Sequence, residues 1–234
     1  MARDDRGVRC ENLIALVVPP TCAACRAPGL RAGDALCAAC RRTLTRLPAA
    51  CCERCALPLP CRRCPAAGAA FAAAWSAVVY EGVARDALRA LKFARARALA
   101  DVMAAQIAAC APPALLLGTL VAVPAHPVRR RVRGFDPAEL ICAALARRTG
   151  LPLARALSRG AHSSQQLGAS GTLRRQPGRL AFTARGRAPG TAILIDDVHT
   201  TGSTLDACAA ALRGAGARRV VAITWARAVG PKGH

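Results

Sequence analysis

Aromatic residues and lysines are nearly missing from this 234-residue chain. Aromatics make up 3% of it, so the core must be built from leucine, valine, isoleucine and alanine, and few rings can stack on nucleic-acid bases. The only lysines are Lys92 and Lys232, and arginine therefore carries almost all of the positive charge. No apolar run approaches the roughly 20 residues of a membrane-spanning helix. The sequence therefore predicts a protein that does not span a membrane.

Acidic residues are also scarce. The chain has 34 Lys+Arg against 13 Asp+Glu, a formal net charge of +21. Such a charge favours polyanions, either nucleic acid or phosphorylated ligands, because cations that neutralise phosphates release condensed counterions. A compositional bias towards alanine and arginine accounts for the same charge without any ligand. Charge alone therefore identifies no partner.

The first residues also lack the features of a signal peptide. Asp4, Asp5 and Glu11 are mixed with arginines, and only a short apolar run follows. A secretory signal would need a cationic start and a clean apolar segment. We therefore expect a cytoplasmic protein.

Cysteine is abundant and regularly spaced. Of 13 cysteines, eight form four C-x-x-C pairs near the N-terminus. A C-x-x-C knuckle places two thiolates on one side of a tight turn, and two knuckles supply the four sulfur ligands that structural zinc prefers. The pattern predicts two structural Zn²⁺ sites. Their ligands are Cys22, Cys25, Cys37, Cys40, Cys52, Cys55, Cys61 and Cys64.

The ligand pairing has alternatives at this level. Sequential pairing, with the first two knuckles in one site and the last two in the other, is the simplest, but an interleaved pairing uses the same residues. Cys51 adjoins Cys52 and could replace it. Disulfides, free thiols or an iron–sulfur cluster are the competing chemistries. The isolated cysteines lie among apolar or alanine-rich neighbours and are predicted to be small core residues. They are Cys10, Cys110, Cys142 and Cys208.

The order of segments predicts two domains. The small-residue stretch "PAAGAAFAAAW" follows Cys64 and marks a boundary, giving a double zinc ribbon over 1–67 and a second domain over 68–234. In the second domain, apolar runs alternate with helical patterns. The predicted strands are "SAVVY", "TLVAVP", "TAILID" and "VVAITWA". Residues 82–110 are predicted to form one or two helices, and 136–150 and 202–216 one helix each. The alternation indicates an α/β fold with a largely parallel sheet flanked by helices.

A further helix is predicted near Ser163 to Gln166, and "GASGTLRRQPGRL" after it is predicted to be a mobile loop. In an α/β fold, ligands bind outside the carboxyl ends of the strands. This directs attention to the segments that follow the predicted strands.

The segment "AILIDDVHTTGSTL" carries the most specific chemistry. An aliphatic strand ends in Asp196 and Asp197, and "HTTGST" turns into the next helix. Backbone N–H groups and a helix N-terminus form a phosphate cradle, while adjacent carboxylates accept hydrogen bonds from vicinal hydroxyls. A ribose 5-phosphate satisfies both halves. The segment lacks the spacing and lysine of a Walker A loop.

"ILIDDVHTTGST" resembles the phosphoribosyl pyrophosphate (PRPP) signature of type I phosphoribosyltransferases. Together with the cysteine pairs, "YEGVARDALRALKFARARALA", "VAVPAHPVRRRVRGFDPAEL" and "SRGAHSSQQLGASGTLRRQPGRLAF", it resembles the ComF family, which is associated with DNA uptake in natural transformation. The resemblance covers most of the chain. It implies a type I phosphoribosyltransferase-like parallel sheet.

The resemblance also implies roles for individual residues. Asp196 and Asp197 would hold the ribose hydroxyls and act in catalysis, with Mg²⁺ held mainly by PRPP oxygens. The 5-phosphate would lie on the turn formed by Thr200, Thr201, Gly202, Ser203 and Thr204. Pyrophosphate needs a second cationic loop, and "AHPVRRRVRG" offers one. Its candidate residues are Arg129 and Arg130, with Arg131 and Arg133 beside them.

Two departures from the family pattern concern the acceptor side of the site. "RGFDPAE" has Asp136 and Pro137 where the family has Asn and Gln, and Pro177 stands where Asn is expected. Arg159, Gln165 and Gln166 keep the central element near the predicted loop. The histidines His126, His162 and His199 are interpreted as surface residues, and no Ser-His-Asp or Cys-His constellation indicates nucleophilic hydrolysis.

Three functions are compatible with these features. The first is a PRPP-dependent transferase acting on an acceptor that the sequence does not specify. The second is a non-catalytic single-stranded DNA-binding module with PRPP as a ligand only. The third is a scaffold whose ribbons contact proteins of the DNA-uptake machinery.

Overall fold

The computed structural model describes residues 21–31, 33–94, 96–160 and 182–230. Within them a four-stranded parallel sheet is flanked by helices, which confirms the α/β class. The strands are β1 (Ala73–Val79), β2 (Thr119–Ala122), β5 (Thr191–His199) and β6 (Arg219–Arg227), in the order β1-β6-β5-β2. A second, antiparallel pair is formed by β3 (Leu157–Arg159) and β4 (Phe182–Ala184).

Six α-helices occur in the described residues. They are α1 (Ala38–Arg42), α2 (Gly82–Phe93), α3 (Leu99–Cys110), α4 (Pro127–Arg133), α5 (Pro137–Thr149) and α6 (Ser203–Gly214), with a 3₁₀ turn at Pro113–Leu115. The predicted helical segment 82–110 is therefore two helices. None of the described helices has the length and apolar character needed to cross a membrane.

The sheet separates two apolar layers because alternate residues of a strand point to opposite faces. Ile193 and Ile195 of β5 pack with α2, α3 and α5, whereas Ala192 and Leu194 pack with α6 and the β3–β4 pair. The sheet is thus buried on both faces, which explains why its central strands are continuous aliphatic runs.

Each cysteine-rich module packs on a different layer. Cys22, Leu36 and Cys40 share the apolar cluster of α2 and α3, while Cys55 and Ala56 share the cluster of α6. The backbone N–H of Val79 donates to Thr45 O at 2.8 Å, so the first module also covers the edge strand β1. The boundary at residue 67 stays a prediction.

The segment "AHPVRRRVRG", predicted as a cationic loop, is largely the helix α4. Pro127 occupies its first position, His126 Nδ1 accepts from the Val128 N–H at 3.3 Å, and Gly134 ends it with φ +76°. These are ordinary start and stop signals, but the run of arginines obscured the helical period. The predicted helix at 163–166 and the predicted loop after it lie outside the described residues.

Candidate functional site

The eight paired cysteines form two separate clusters. Cys22, Cys25, Cys37 and Cys40 make one, and Cys52, Cys55, Cys61 and Cys64 make the other, with the ligand atoms of each cluster within 4.8 Å of one another. This confirms the sequential pairing. Cys51 lies outside both clusters and its Sγ donates to Pro48 O at 3.1 Å.

The sulfur spacing fits a single tetrahedral ion. Sγ–Sγ distances are 3.7 Å for Cys25–Cys37, 3.8 Å for Cys52–Cys64 and 3.6 Å for Cys55–Cys61. Zn–S bonds of about 2.3 Å in a tetrahedron place sulfurs about 3.8 Å apart, whereas a disulfide needs about 2.05 Å. The donor set therefore fits structural Zn²⁺, not disulfides.

In each cluster, backbone N–H groups lower the pKa of one thiol. Burial alone would raise the pKa of Cys22, but N–H groups of Cys37, Cys25 and Ala24 pointing at its sulfur lower the pKa to about 6. The same effect in the second cluster, from the N–H groups of Cys55 and Arg54, outweighs burial and lowers the pKa of Cys52 to about 7. Since thiolate is the form that binds zinc, these turns favour metal loading.

The isolated cysteines differ in their exposure. Cys142 and Cys208 are fully buried, as predicted, whereas Cys110 is exposed at the end of α3, so the core prediction for it is wrong. The buried face of α3 passes from Ile107 to Ala111, four residues on, and so leaves Cys110 outside it. Cys10 lies outside the described residues.

Asp196 and Asp197 lie near the carboxyl end of β5. The strand continues beyond them to His199, three residues further than the predicted strand "TAILID". Asp197 is 6% exposed, and Lys92 Nζ of α2 donates to its Oδ1 at 2.9 Å. Asp196 Oδ1 accepts the Asp197 N–H at 2.8 Å.

Burial and the charge of Asp197 raise the pKa of Asp196 well above its ordinary value, and the Lys92 ammonium offsets part of this effect. Two adjacent carboxylates at a buried position repel one another, and the Lys92 ammonium offsets part of this repulsion. Lys92 was missed from the sequence as a site residue. The available signal was its rarity, since it is one of two lysines in an arginine-rich chain.

The turn after β5 is shaped by Gly202. Its φ is +85°, a left-handed conformation that favours glycine, and a Cβ there would lie 2.9 Å from His199 Nε2. The hydroxyls of Thr201 and Ser203 are 2.9 Å apart, and Thr200 and Thr201 are exposed. The turn leads directly into the N-terminus of α6, where free N–H groups favour an anion.

The sequence-based interpretation of His199 as a surface residue is wrong. His199 is 2% exposed and lies beneath the turn. Its ring meets Phe71 edge to face at 6.3 Å, and its Nδ1 has no hydrogen-bond partner among the described residues. Burial and the nearby Arg227 charge lower the pKa of His199 to about 4. It is therefore neutral at physiological pH and supports the turn by packing. His126 is half-buried as the cap of α4, and His162 lies outside the described residues.

A cavity of about 730 Å³ lies beside the carboxyl end of β2. Its walls come from α4, the start of α5 and the β3–β4 pair. Arginines from three segments line it: Arg130, Arg131, Arg155, Arg159 and Arg185. Arg129 is exposed on α4 and is not part of this lining.

The two acids on the same cavity wall are already engaged. Asp136 Oδ2 accepts from the Ala125 N–H at 2.6 Å and Oδ1 from the Ala138 N–H at 3.0 Å, so it caps α5 and fixes the chain after β2. Glu139 lies 4.0 Å from Arg130 Nη1. Asp136 therefore has a structural role here, and the lining remains strongly cationic.

Comparison with known proteins supports the zinc-binding module. Residues 13–73 match the double zinc ribbon domain. Among solved structures, the glutamine phosphoribosylpyrophosphate (PRPP) amidotransferase from B. subtilis complexed with ADP and GMP is similar, with 19% sequence identity and a TM-score of 0.42. The similarity covers 58% of this chain and 30% of that one. No curated protein matches the sequence.

Proposed function

We propose that this chain is a PRPP-binding protein of the ComF type, with a phosphoribosyltransferase domain attached to two structural zinc sites. The observation that carries the proposal is the continuity of β5, the Asp196–Asp197 pair, the turn 200–204 and the N-terminus of α6. Carboxylates and free N–H groups face the same edge of a parallel sheet, where α/β proteins bind ligands. Ribose 5-phosphate has hydroxyls for the first set and a phosphate for the second.

In this proposal the 5-phosphate accepts hydrogen bonds from the backbone of the turn and from the hydroxyls of Thr200, Thr201, Ser203 and Thr204. The ribose hydroxyls donate to Asp196 and Asp197. Both interactions place C1 of the ribose over the carboxyl edge of the sheet. Lys92 offsets part of the negative charge that these acids bring together.

Phosphoribosyl transfer breaks the bond between C1 and the pyrophosphate oxygen, and its electron pair leaves with pyrophosphate. The lone pair of the acceptor forms the new bond to C1, and the acceptor loses its proton. Positive charge grows on the ribose during this exchange, and Asp196 and Asp197 would stabilise it. They are the proposed catalytic residues.

Pyrophosphate would lie towards the arginine-lined cavity. Arg130 and Arg131 face it from α4, and Arg129 is available on the exposed side of that helix. The described residues contain no group of three carboxylates for a divalent ion, so PRPP oxygens would supply most ligands of Mg²⁺, with Asp196 or Asp197 assisting. The ion would supply charge neutralisation of the leaving pyrophosphate.

The test is calorimetric titration of the zinc-loaded protein with PRPP and Mg²⁺. Wild type should bind, and Asp196→Asn/Asp197→Asn should lose binding by more than about tenfold, because both ribose acceptors lose their charge. Arg219→Ser is the matched control, because Arg219 is the exposed first residue of β6 and lies at the amino end of the sheet, opposite the turn. Undiminished binding by the double variant would reject the proposed site. A binding wild type justifies a screen of acceptors for release of pyrophosphate.

A second candidate function, single-stranded DNA binding, is favoured by the net charge of +21 and by exposed arginines on α4 and on the ribbons. Since aromatics are scarce, binding would be mainly electrostatic, with log K falling by about 0.7 per neutralised phosphate for each unit of log salt. Anisotropy titrations of Arg62→Ser/Arg63→Ser should show a shallower salt slope than wild type. Binding that ignores salt would remove this candidate.

Contact with DNA-uptake proteins in the cytoplasm is the third part of the ComF proposal. Because both modules share apolar clusters with the α/β domain, deleting residues 1–64 would expose the core, and surface substitutions are the better test. In a transformable host, Arg62→Ser/Arg63→Ser should lower transformation while PRPP binding persists. Normal transformation would exclude these arginines as a contact.

A further inference from the structure

Arg227, the last residue of β6, joins the second zinc cluster to the turn after β5. It is 2% exposed. Its Nε donates to Cys55 O at 2.8 Å, and its Nη1 donates to the carbonyls of His199 at 2.9 Å and Thr200 at 2.5 Å. A further bond reaches Ala228 O at 2.7 Å. One buried guanidinium therefore holds a cysteine ligand and the start of the turn together.

The contacts with His199 and Thr200 fix the direction of the next two N–H groups. A peptide unit is planar and trans, so its C=O and the following N–H point in opposite directions. When Arg227 holds the two carbonyls from inside the protein, the N–H groups of Thr200 and Thr201 point away from the interior. That outward side is where a phosphate on the turn would lie.

The charge of Arg227 also needs compensation. In the parts of the chain that the structure describes, no carboxylate forms an ion pair with it. Carbonyl oxygens satisfy its N–H groups but do not neutralise a buried cation. A zinc ion with four thiolates would carry a net charge of −2, and Cys55, whose carbonyl accepts from Arg227, is one of the four ligands. Metal loading of that cluster would therefore supply a counter-charge close to Arg227.

Among the described residues, no residue of the first module accepts a hydrogen bond from the Arg227 guanidinium. Cys22 and Cys40 pack on the opposite layer of the sheet, with α2 and α3, and the hydrogen bonds of that module reach β1 through Thr45 and Val79. The two clusters thus form an internal comparison, because both are Cys₄ sites and, in the described residues, only the second contributes an acceptor to the Arg227 guanidinium. Within this part of the chain, the first module reaches Arg227 only through the backbone pairing of Val79 in β1.

We propose that Arg227 is a positioning residue that sets the phosphate-binding amides of the turn, and that it couples the turn to metal occupancy of the Cys52–Cys55–Cys61–Cys64 site. The functional meaning of this coupling depends on the proposed PRPP site. Coupling of binding free energies is reciprocal, so a ligand on the turn raises the zinc affinity of the second site and leaves that of the first unchanged.

Hydrogen–deuterium exchange tests the coupling without any ligand. Emptying the second site with Cys61→Ser should speed exchange across residues 198–206 by about tenfold, as should Arg227→Met. Cys37→Ser, which empties the first site, should leave this segment unchanged. Arg41→Met is the matched arginine control, because Arg41 Nε donates to Leu36 O at 2.9 Å beside the first cluster instead of holding the turn. Unchanged exchange in Cys61→Ser, or an equal change in Cys37→Ser, overturns the proposal.

A second variant of Arg227 and a measurement of PRPP affinity complete the test. Should Arg227→Met fail to fold, Arg227→Lys retains the charge but cannot span Cys55 and the turn at once, so the same segment should exchange faster in a folded protein. PRPP affinity should fall more than about tenfold in Cys61→Ser and less than about twofold in Cys37→Ser. A wild type that does not bind PRPP would reject the proposed function, whereas the exchange data would still decide the coupling.

Discussion

Replacing Lys92 with methionine should destabilise the protein, because Asp196 and Asp197 would lose the cation that compensates their charge. Lys92 Nζ lies 2.9 Å from Asp197 Oδ1, and the two side chains are 22% and 8% exposed. Removing one member of a buried ion pair typically costs about 3–5 kcal/mol. Since Lys92 retains some contact with water, we expect about 2–3 kcal/mol in the free energy of unfolding, measured with urea on zinc-loaded protein.

The loss should depend on pH. Burial and Asp197 raise the pKa of Asp196 in the folded protein, and Lys92 lowers it, so the variant raises that pKa further. A carboxyl whose pKa is higher in the folded than in the unfolded protein contributes to the free energy of unfolding. That contribution is complete at pH values below the unfolded-state pKa and is lost as the pH rises through the folded-state pKa. The difference between variant and wild type should therefore shrink from about pH 7 towards about pH 4.5.

Two controls separate charge from packing. Lys92→Arg keeps the cation and should lose less than half as much stability as Lys92→Met. In a double-mutant cycle, Asp197→Asn should recover much of the loss caused by Lys92→Met, because the uncompensated charge is gone. A pH-independent loss, or an equal loss in Lys92→Arg, would refute the electrostatic explanation.

Further predictions concern the turn, the helix cap and the metal ligands. Gly202→Ala should lower stability by about 1–3 kcal/mol in thermal unfolding, since it combines a positive φ with a contact to His199; an unchanged melting temperature would contradict this. Asp136→Ala should cost about 1–2 kcal/mol as a lost cap, and Asp136→Asn clearly less, in the same assay; equal losses would argue against capping. Metal analysis should give two zinc ions per chain, reduced to one by Cys52→Ser and unaffected by Cys51→Ser; zinc loss in Cys51→Ser would contradict the assignment.

The parts of the fold that local sequence determines were predictable. An unbroken aliphatic run identified β5, and the small residues after Asp197 identified the turn into α6. Asp136 and Gly150 bounded α5 as its cap and its left-handed C-terminal residue. The C-x-x-C spacing identified the zinc ligands, because a knuckle is a local structure.

Features that depend on distant neighbours were not predictable. β3 and β4 have three residues each and exist only because they pair with one another. His199 and Arg227 are register partners in β5 and β6, so their burial follows from strand pairing and from the second cysteine module packed above them. A histidine inside a turn motif and an arginine at a strand end look exposed until that packing is known.

The most direct test of the account is a crystal structure of the zinc-loaded chain with PRPP and Mg²⁺. We predict the 5-phosphate on the N–H groups of residues 200–204, the ribose hydroxyls on Asp196 and Asp197, and pyrophosphate towards Arg130 and Arg131. PRPP bound elsewhere, or a complex saturated in solution whose turn holds no phosphate, would contradict it.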